Sequence, residues 1–167
     1  MKWFTKAVTI TAILALVVGI AGIVYAVHAR MASAEYQFQI DAVLSAASVA
    51  NEGKAVTDAD RAVIAEYQGG RAVVVPGNYK ALSYYLRMDA MMPPWGNVKE
   101  DQCLKITVCG EAVILVMPDK GSDDNILIRM TTGGKTFLMK AHGGNLWTNL
   151  LACAMQGTYH DSNIPLD

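Results

Sequence analysis

Between Lys6 and Arg30 the chain runs for 23 residues, Ala7 to Ala29, without an Asp, Glu, Lys or Arg. At 1.5 Å per residue a helix of that length covers about 34 Å, slightly more than the roughly 30 Å hydrocarbon core of a bilayer. A core helix apolar on every face over six turns does not suit a protein this small, so the run reads as a membrane anchor. The competing reading is a cleavable secretory signal. Lys2 and Lys6 supply a basic start and Ala32-Ser33-Ala34 a small-x-small site. Signal cores are only about 7 to 15 apolar residues long, and here His28 and Arg30 intervene before the site, so length favours the uncleaved anchor.

Flanking charge sets the expected orientation. Lys2 and Lys6 precede the run, whereas Arg30 is soon followed by Glu35 and Asp41. The positive-inside rule then places residues 1–6 in the cytoplasm, 7–29 in the membrane and the rest outside the cytoplasm, or secreted if residues 1–34 are removed. Six cytoplasmic residues hold no output domain, so signalling through the chain itself is not expected. Residues 31–167 carry 11 basic and 15 acidic side chains, a balance of −4, with no basic block. Nucleic acid is therefore a poor partner.

Beyond the anchor, Tyr36, Ile40, Val43, Ala47 and Ala50 recur at spacings of four and three, one apolar seam on a helix that Asn51-Glu52-Gly53 ends. The seam is too short for a sustained coiled coil and is expected to pack on the domain's own sheet. Residues 30–52 are thus read as an amphipathic helical stalk and 53–167 as the exported domain. Thr57 then caps an expected short helix from Asp58 to Tyr67. Arg71 to Val75 reads as a strand, and Pro76-Gly77 as a turn. Asn78 caps a helix with Tyr79, Leu82, Tyr85 and Leu86 inward.

From Gln102 the pattern becomes β. Leu104, Ile106 and Val108 alternate with Cys103, Lys105 and Thr107, and Glu111 to Met117 is a continuous apolar run typical of a central strand. Asn125 to Thr132 and Lys135 to Ala141 flank Gly133-Gly134, a pair suited to the two positive φ angles of a type I′ turn. A last helix follows Asn145, its expected N-cap, with Trp147, Leu150, Leu151 and Ala154 on one face and Gly157 behind it. The expected fold is α+β: a transmembrane helix continuing into an amphipathic helix, a four- to five-stranded antiparallel meander, and a C-terminal covering helix.

Chemistry-bearing residues are few. Cys103 and Cys109 lie about 20 Å apart on an extended strand and do not bridge each other; Cys153 could pair with either, or all three are buried thiols. The histidines at 28, 142 and 160 lack metal-ligand spacing, and no cofactor is expected. Asp119, Asp123, Asp124 and Asn125 lack the EF-hand pattern and read as a solvated turn before a Ca²⁺ site. Ala141-His142-Gly143-Gly144 has the look of an esterase oxyanion loop, but no Gly-x-Ser-x-Gly elbow accompanies it. His160-Asp161 reads as an exposed tail.

A contact surface is the better candidate. Tyr79, Tyr85, Met91, Met92 and Trp95 make the most aromatic and thioether-rich stretch, and with Tyr36, Ile40 and Val43 they are the candidate partner-contact residues. The plan of apolar helix, amphipathic helix and antiparallel meander resembles that of type IV pilins and pseudopilins. The likeness is in plan alone: those proteins carry a Gly-Phe-like processing site and an early Glu, whereas here Lys6-Ala7-Val8 follows Phe4-Thr5 and the first acid is Glu35. The expected function is a single-pass, non-enzymatic binding or assembly subunit of a membrane or cell-envelope complex. It would contact the lipid bilayer and other envelope proteins or further copies of itself. The alternatives are a pilin-like filament subunit and a small surface or secreted hydrolase.

Overall fold

A computed structural model describes residues 2–52, 61–88, 90, 97–156 and 158–159. Helix α1, Lys2–Ala50, is a single uninterrupted element. It holds an apolar stretch long enough to cross a membrane by length and composition. From Val8 to His28 its side chains are exposed all round. The second half differs, because Tyr36, Ile40, Leu44, Ala47 and Asn51 are buried.

That buried row corrects the phase of the expected seam. Its spacing of four, four, three and four follows the 3.6-residue turn of a straight helix, so the row advances to Leu44 and Asn51. Val43 is left only partly buried against the core, and Ala50 is half-buried. The residues expected to form a stalk are therefore the domain's central core helix, packed on its own sheet and on a second helix.

The hairpin β1 (Val63–Tyr67) and β2 (Gly70–Val73) follows. Here the expected helix from Asp58 to Tyr67 is overturned from residue 63 on; its expected cap, Thr57, and first residues, 58–60, lie outside the described set. The acidic first turn argued for helix, but Val63 and Ile64 are β-branched, and Gln68 and Gly69 take positive φ angles of 47° and 79° that close a two-residue hairpin turn. Tertiary pairing decides the matter, since β1 is flanked on its other side by β3.

Next come α2 (Tyr79–Arg87) and strands β3 (Leu104–Val108), β4 (Ala112–Pro118), β5 (Asn125–Thr132) and β6 (Lys135–His142). Helix α3 (Leu146–Met155) and the two-residue β7 (Thr158–Tyr159) complete the described chain. The β3 to β6 meander matches the sequence reading, and Gly133 and Gly134 have φ of 53° and 75°. The sheet is larger than the expected four to five strands: β1 and β2 extend it to six antiparallel strands, with β7 pairing on β2, in the order β6-β5-β4-β3-β1-β2-β7.

Side chains alternate across this sheet. Ile106, Ile114, Ile128 and Met139 face inward among α1, α2 and α3, whereas Cys103, Leu115 and Leu127 form a small outer cluster with Val98. Leu44 lies in the inner core and Val43 only at its margin. Leu44→Ala should therefore cost about 2–5 kcal/mol and Val43→Ala clearly less, a contrast that denaturant unfolding of the two variants would measure.

Candidate functional site

Three polar assemblies fix how the helices meet the sheet. Asn51, 3% exposed, donates from Nδ2 to the carbonyl of Ala47 (2.9 Å) and that of Arg61 (2.7 Å), and lies 3.3 Å from the Tyr79 hydroxyl. One amide thus ties the end of α1 to the approach of β1 and the start of α2. At the other end of the contact, the Tyr36 hydroxyl donates to the carbonyl of Leu86 at 2.8 Å, satisfying a group at the last turn of α2. Complete burial pushes the Tyr36 phenol far above its ordinary range, so it stays a neutral donor.

Between these pins, Asp41 of α1 accepts from the Ser83 hydroxyl at 2.6 Å and pairs with the Arg87 guanidinium, both on α2. Arg87 chiefly, aided by Ser83, holds the Asp41 carboxyl below the usual carboxylate range, against a smaller opposing effect of desolvation. Asp41, Lys80, Ser83, Tyr84, Arg87 and Met88 line a shallow surface groove between the two helices.

The acidic loop before β5 has a structural task. Asp123 Oδ1 accepts from the Thr148 backbone N–H at 2.9 Å and from its hydroxyl at 2.8 Å, and the Asp123 carbonyl accepts from Trp147 N–H at 2.8 Å. Asp124 Oδ1 accepts from the Asn145 N–H at 2.8 Å. The loop therefore caps α3 from outside the helix. This corrects the role expected of Asn145, which adopts a left-handed conformation and makes no side-chain cap bond. Asn78 likewise gives α2 no side-chain cap; its amide reaches the Cys153 carbonyl at 3.2 Å. Asp119 pairs with Lys140. Among the described residues no His, Cys, Asp and Glu cluster is arranged to hold a metal ion.

His142 Nδ1 lies 3.1 Å from Asn125 Oδ1. Asn125 Nδ2 in turn donates to Ser122 Oγ at 3.1 Å, so the imidazole is linked through the amide to the loop before β5. The three cysteines are free thiols in separate surroundings. Cys103 lies on the outer side of the sheet, and the Cys153 thiol faces Asn78 O at 3.6 Å on the inner side. Burial pushes all three thiols upward, the opposite of what a reactive cysteine needs.

Of the expected partner-contact residues, Tyr36, Ile40 and Tyr79 are buried within the domain, and Val43 and Tyr85 are half-covered. Met91, Met92 and Trp95 lie outside the described residues, as do Gly157 and His160-Asp161. Exposed apolar side chains appear elsewhere, on the outer face of α1: Met31 (68% exposed), Phe38 (69%) and Val49 (74%). Sequence periodicity marked the inner seam and passed over this face, because small residues such as Ala34, Ala42 and Ala46 dilute its signal. In comparison with known proteins, no family model, curated protein or solved structure matches the chain.

Removing the trans cap by Asp123→Ala should destabilise the domain by about 1 kcal/mol and raise amide exchange at the start of α3, while added Ca²⁺ leaves the melting temperature of the native chain unchanged. The Asp41 clamp gives a pH test. A depressed carboxyl pKa contributes stability that is fully present above the unfolded value of about 4 and is lost as pH falls through the folded value. The melting-temperature gap between the native chain and Asp41→Asn should accordingly be open at pH 6 and close on acidification below about 4.

Proposed function

We propose that this chain is a single-pass, membrane-anchored assembly subunit without enzymatic activity, its amino terminus cytoplasmic and its α+β domain outside the cytoplasm. The observation that carries the reading is the division of one continuous helix, whose first half is apolar and bare on all sides and whose second half is the core of the domain. Bare apolar surface over some six turns calls for lipid or other apolar helices around it. The small-x-small stretch supports an uncleaved anchor. Ala32 packs against the core, and the Ser33 hydroxyl donates to the Ala90 carbonyl at 2.5 Å, so cleavage there would remove native contacts.

The non-enzymatic part of the proposal rests on how the reactive-looking groups are engaged, with His142 on Asn125, Asp123 on α3 and Asp41 on α2. One observation favours a second form of the same reading, a pilin-like filament subunit. Met31, Phe38 and Val49 continue the apolar surface of the anchor along the outside of the domain, so several α1 helices could pack side by side over their whole length.

A carboxyl-terminally tagged chain, cross-linked in native membranes and purified, would test the proposal. The expected result is an intact mass equal to the uncleaved chain together with a co-purifying membrane assembly. A mass beginning near Glu35 with no partner would overturn it. Cross-links joining only copies of this chain, in extracellular fibres, would select the filament form.

A further inference from the structure

Among the described residues the β6 edge of the sheet has no strand paired to it, and its position relative to α1 is fixed by contacts at both ends of the domain. The Tyr36 ring meets Phe137 of β6 with centroids 6.2 Å apart, while Asn51 reaches Arg61 at the approach to β1. From Tyr36 to Asn51 the helix climbs about 22 Å. From β6 to β1 there are four inter-strand steps, about 19 Å at the usual spacing. The two distances agree only if α1 crosses the strands steeply, with β6 at the end nearest the apolar half of the helix. Lys135, which pairs with Glu35, and the Ser33–Ala90 bond place the same end of the domain there.

The register shows which backbone groups face outward on that edge. Thr132 and Lys135 flank the two-residue turn and form a hydrogen-bonded pair, so pairing alternates from them along β5 and β6. Thr136, Leu138 and Lys140 consequently turn their N–H and C=O groups away from β5. The next residue in that row, His142, confirms the phase, since its N–H donates outward to the Met88 carbonyl at 3.3 Å. Among the described residues nothing else pairs with this edge. Exposed edges of this kind invite strand addition unless something covers them.

We infer that the bilayer surface covers it: β6, from Thr136 to Lys140, is the membrane-facing edge of the domain, resting at the lipid headgroups. This rests on the anchor reading above. With the apolar run ending at Arg30, Ser33 stands about 4.5 Å and Tyr36 about 9 Å above that end. The headgroup layer is itself roughly 5–7 Å deep on each side of the hydrocarbon. The edge is thus within reach of phosphate and glycerol oxygens and bound water, which satisfy backbone polar groups without a protein partner. Leu138, 36% exposed, sits at its centre, with Lys140 beside it. A second copy pairing β6 to β6 about a two-fold axis normal to the sheet would run its α1 the opposite way, which two anchors in one bilayer do not permit.

Reconstitution of the full chain in phosphatidylcholine–phosphatidylglycerol vesicles doped with a nickel-chelating lipid provides the test. Nitroxide labels at Leu138→Cys and at Gln68→Cys, the latter on the β1–β2 turn, would be compared in a Cys109→Ser background. Headgroup nickel should relax the label at 138 strongly and leave that at 68 unaffected. Thr136→Cys, on the same edge, serves if Leu138→Cys does not fold. Equal, weak relaxation at both sites in a chain that resists carbonate extraction would overturn the edge assignment and leave the anchor standing. Extraction of the chain by carbonate would instead remove the anchor, and this inference with it. Dipolar broadening between labels at 138 without nickel relaxation would overturn it in favour of a second protein strand.

Discussion

Burial of one side of α1 holds the rest of this structure in place. Tyr36, Ile40, Leu44 and Ala47 supply the apolar wall against which the inner face of the sheet and α2 close, and Asn51 finishes it with a buried amide. Ile40 and Leu44 each contribute about 1.5–3 kcal/mol when removed from water, and the polar pins at Tyr36 and Asn51 add direction to a force that has none. The same helix, a few residues earlier, presents a predominantly apolar surface to its surroundings. One element therefore changes character along its length, and the changeover falls near Arg30.

The sheet was largely legible from sequence because its strands carry strong local signals. Alternation in Leu104 to Val108 and the Gly133-Gly134 pair determine the β3–β4 and β5–β6 segments almost residue by residue. Of the β1–β2 hairpin only β2 was, read as Arg71 to Val75; the turn is Gln68-Gly69, a weak signal beside a well-formed helix start, and β1 is secured by non-local pairing with β3. The seam on α1 was right in existence and wrong in phase. Alternate four- and three-residue spacings describe a supercoil, whereas a helix lying on its own sheet stays straight.

Candidate sites were harder to read for a related reason. Asp41 is far in sequence from Ser83 and Arg87 and meets them only because α2 runs back along α1. Asp123 resembles a metal ligand or a solvated turn residue until α3 is seen to begin beside it, when the orphan N–H groups of that helix explain the carboxylate. Polar residues of this kind carry information about the fold that periodicity, which tracks only apolar side chains, does not register.

An uninterrupted helix also has a mechanical meaning. Between Arg30 and the first core contacts there is no proline or glycine, and the glycines of α1, Gly19 and Gly22, lie within the apolar half. The rod and the domain therefore turn together. Membrane helices tilt by about 20° on average, and a rigid arm of about 22 Å swung through that angle carries its tip sideways by roughly 8 Å. Under the anchoring proposed above, a change in bilayer thickness that tilts the helix would move the far end of the domain as a lever moves about its fulcrum.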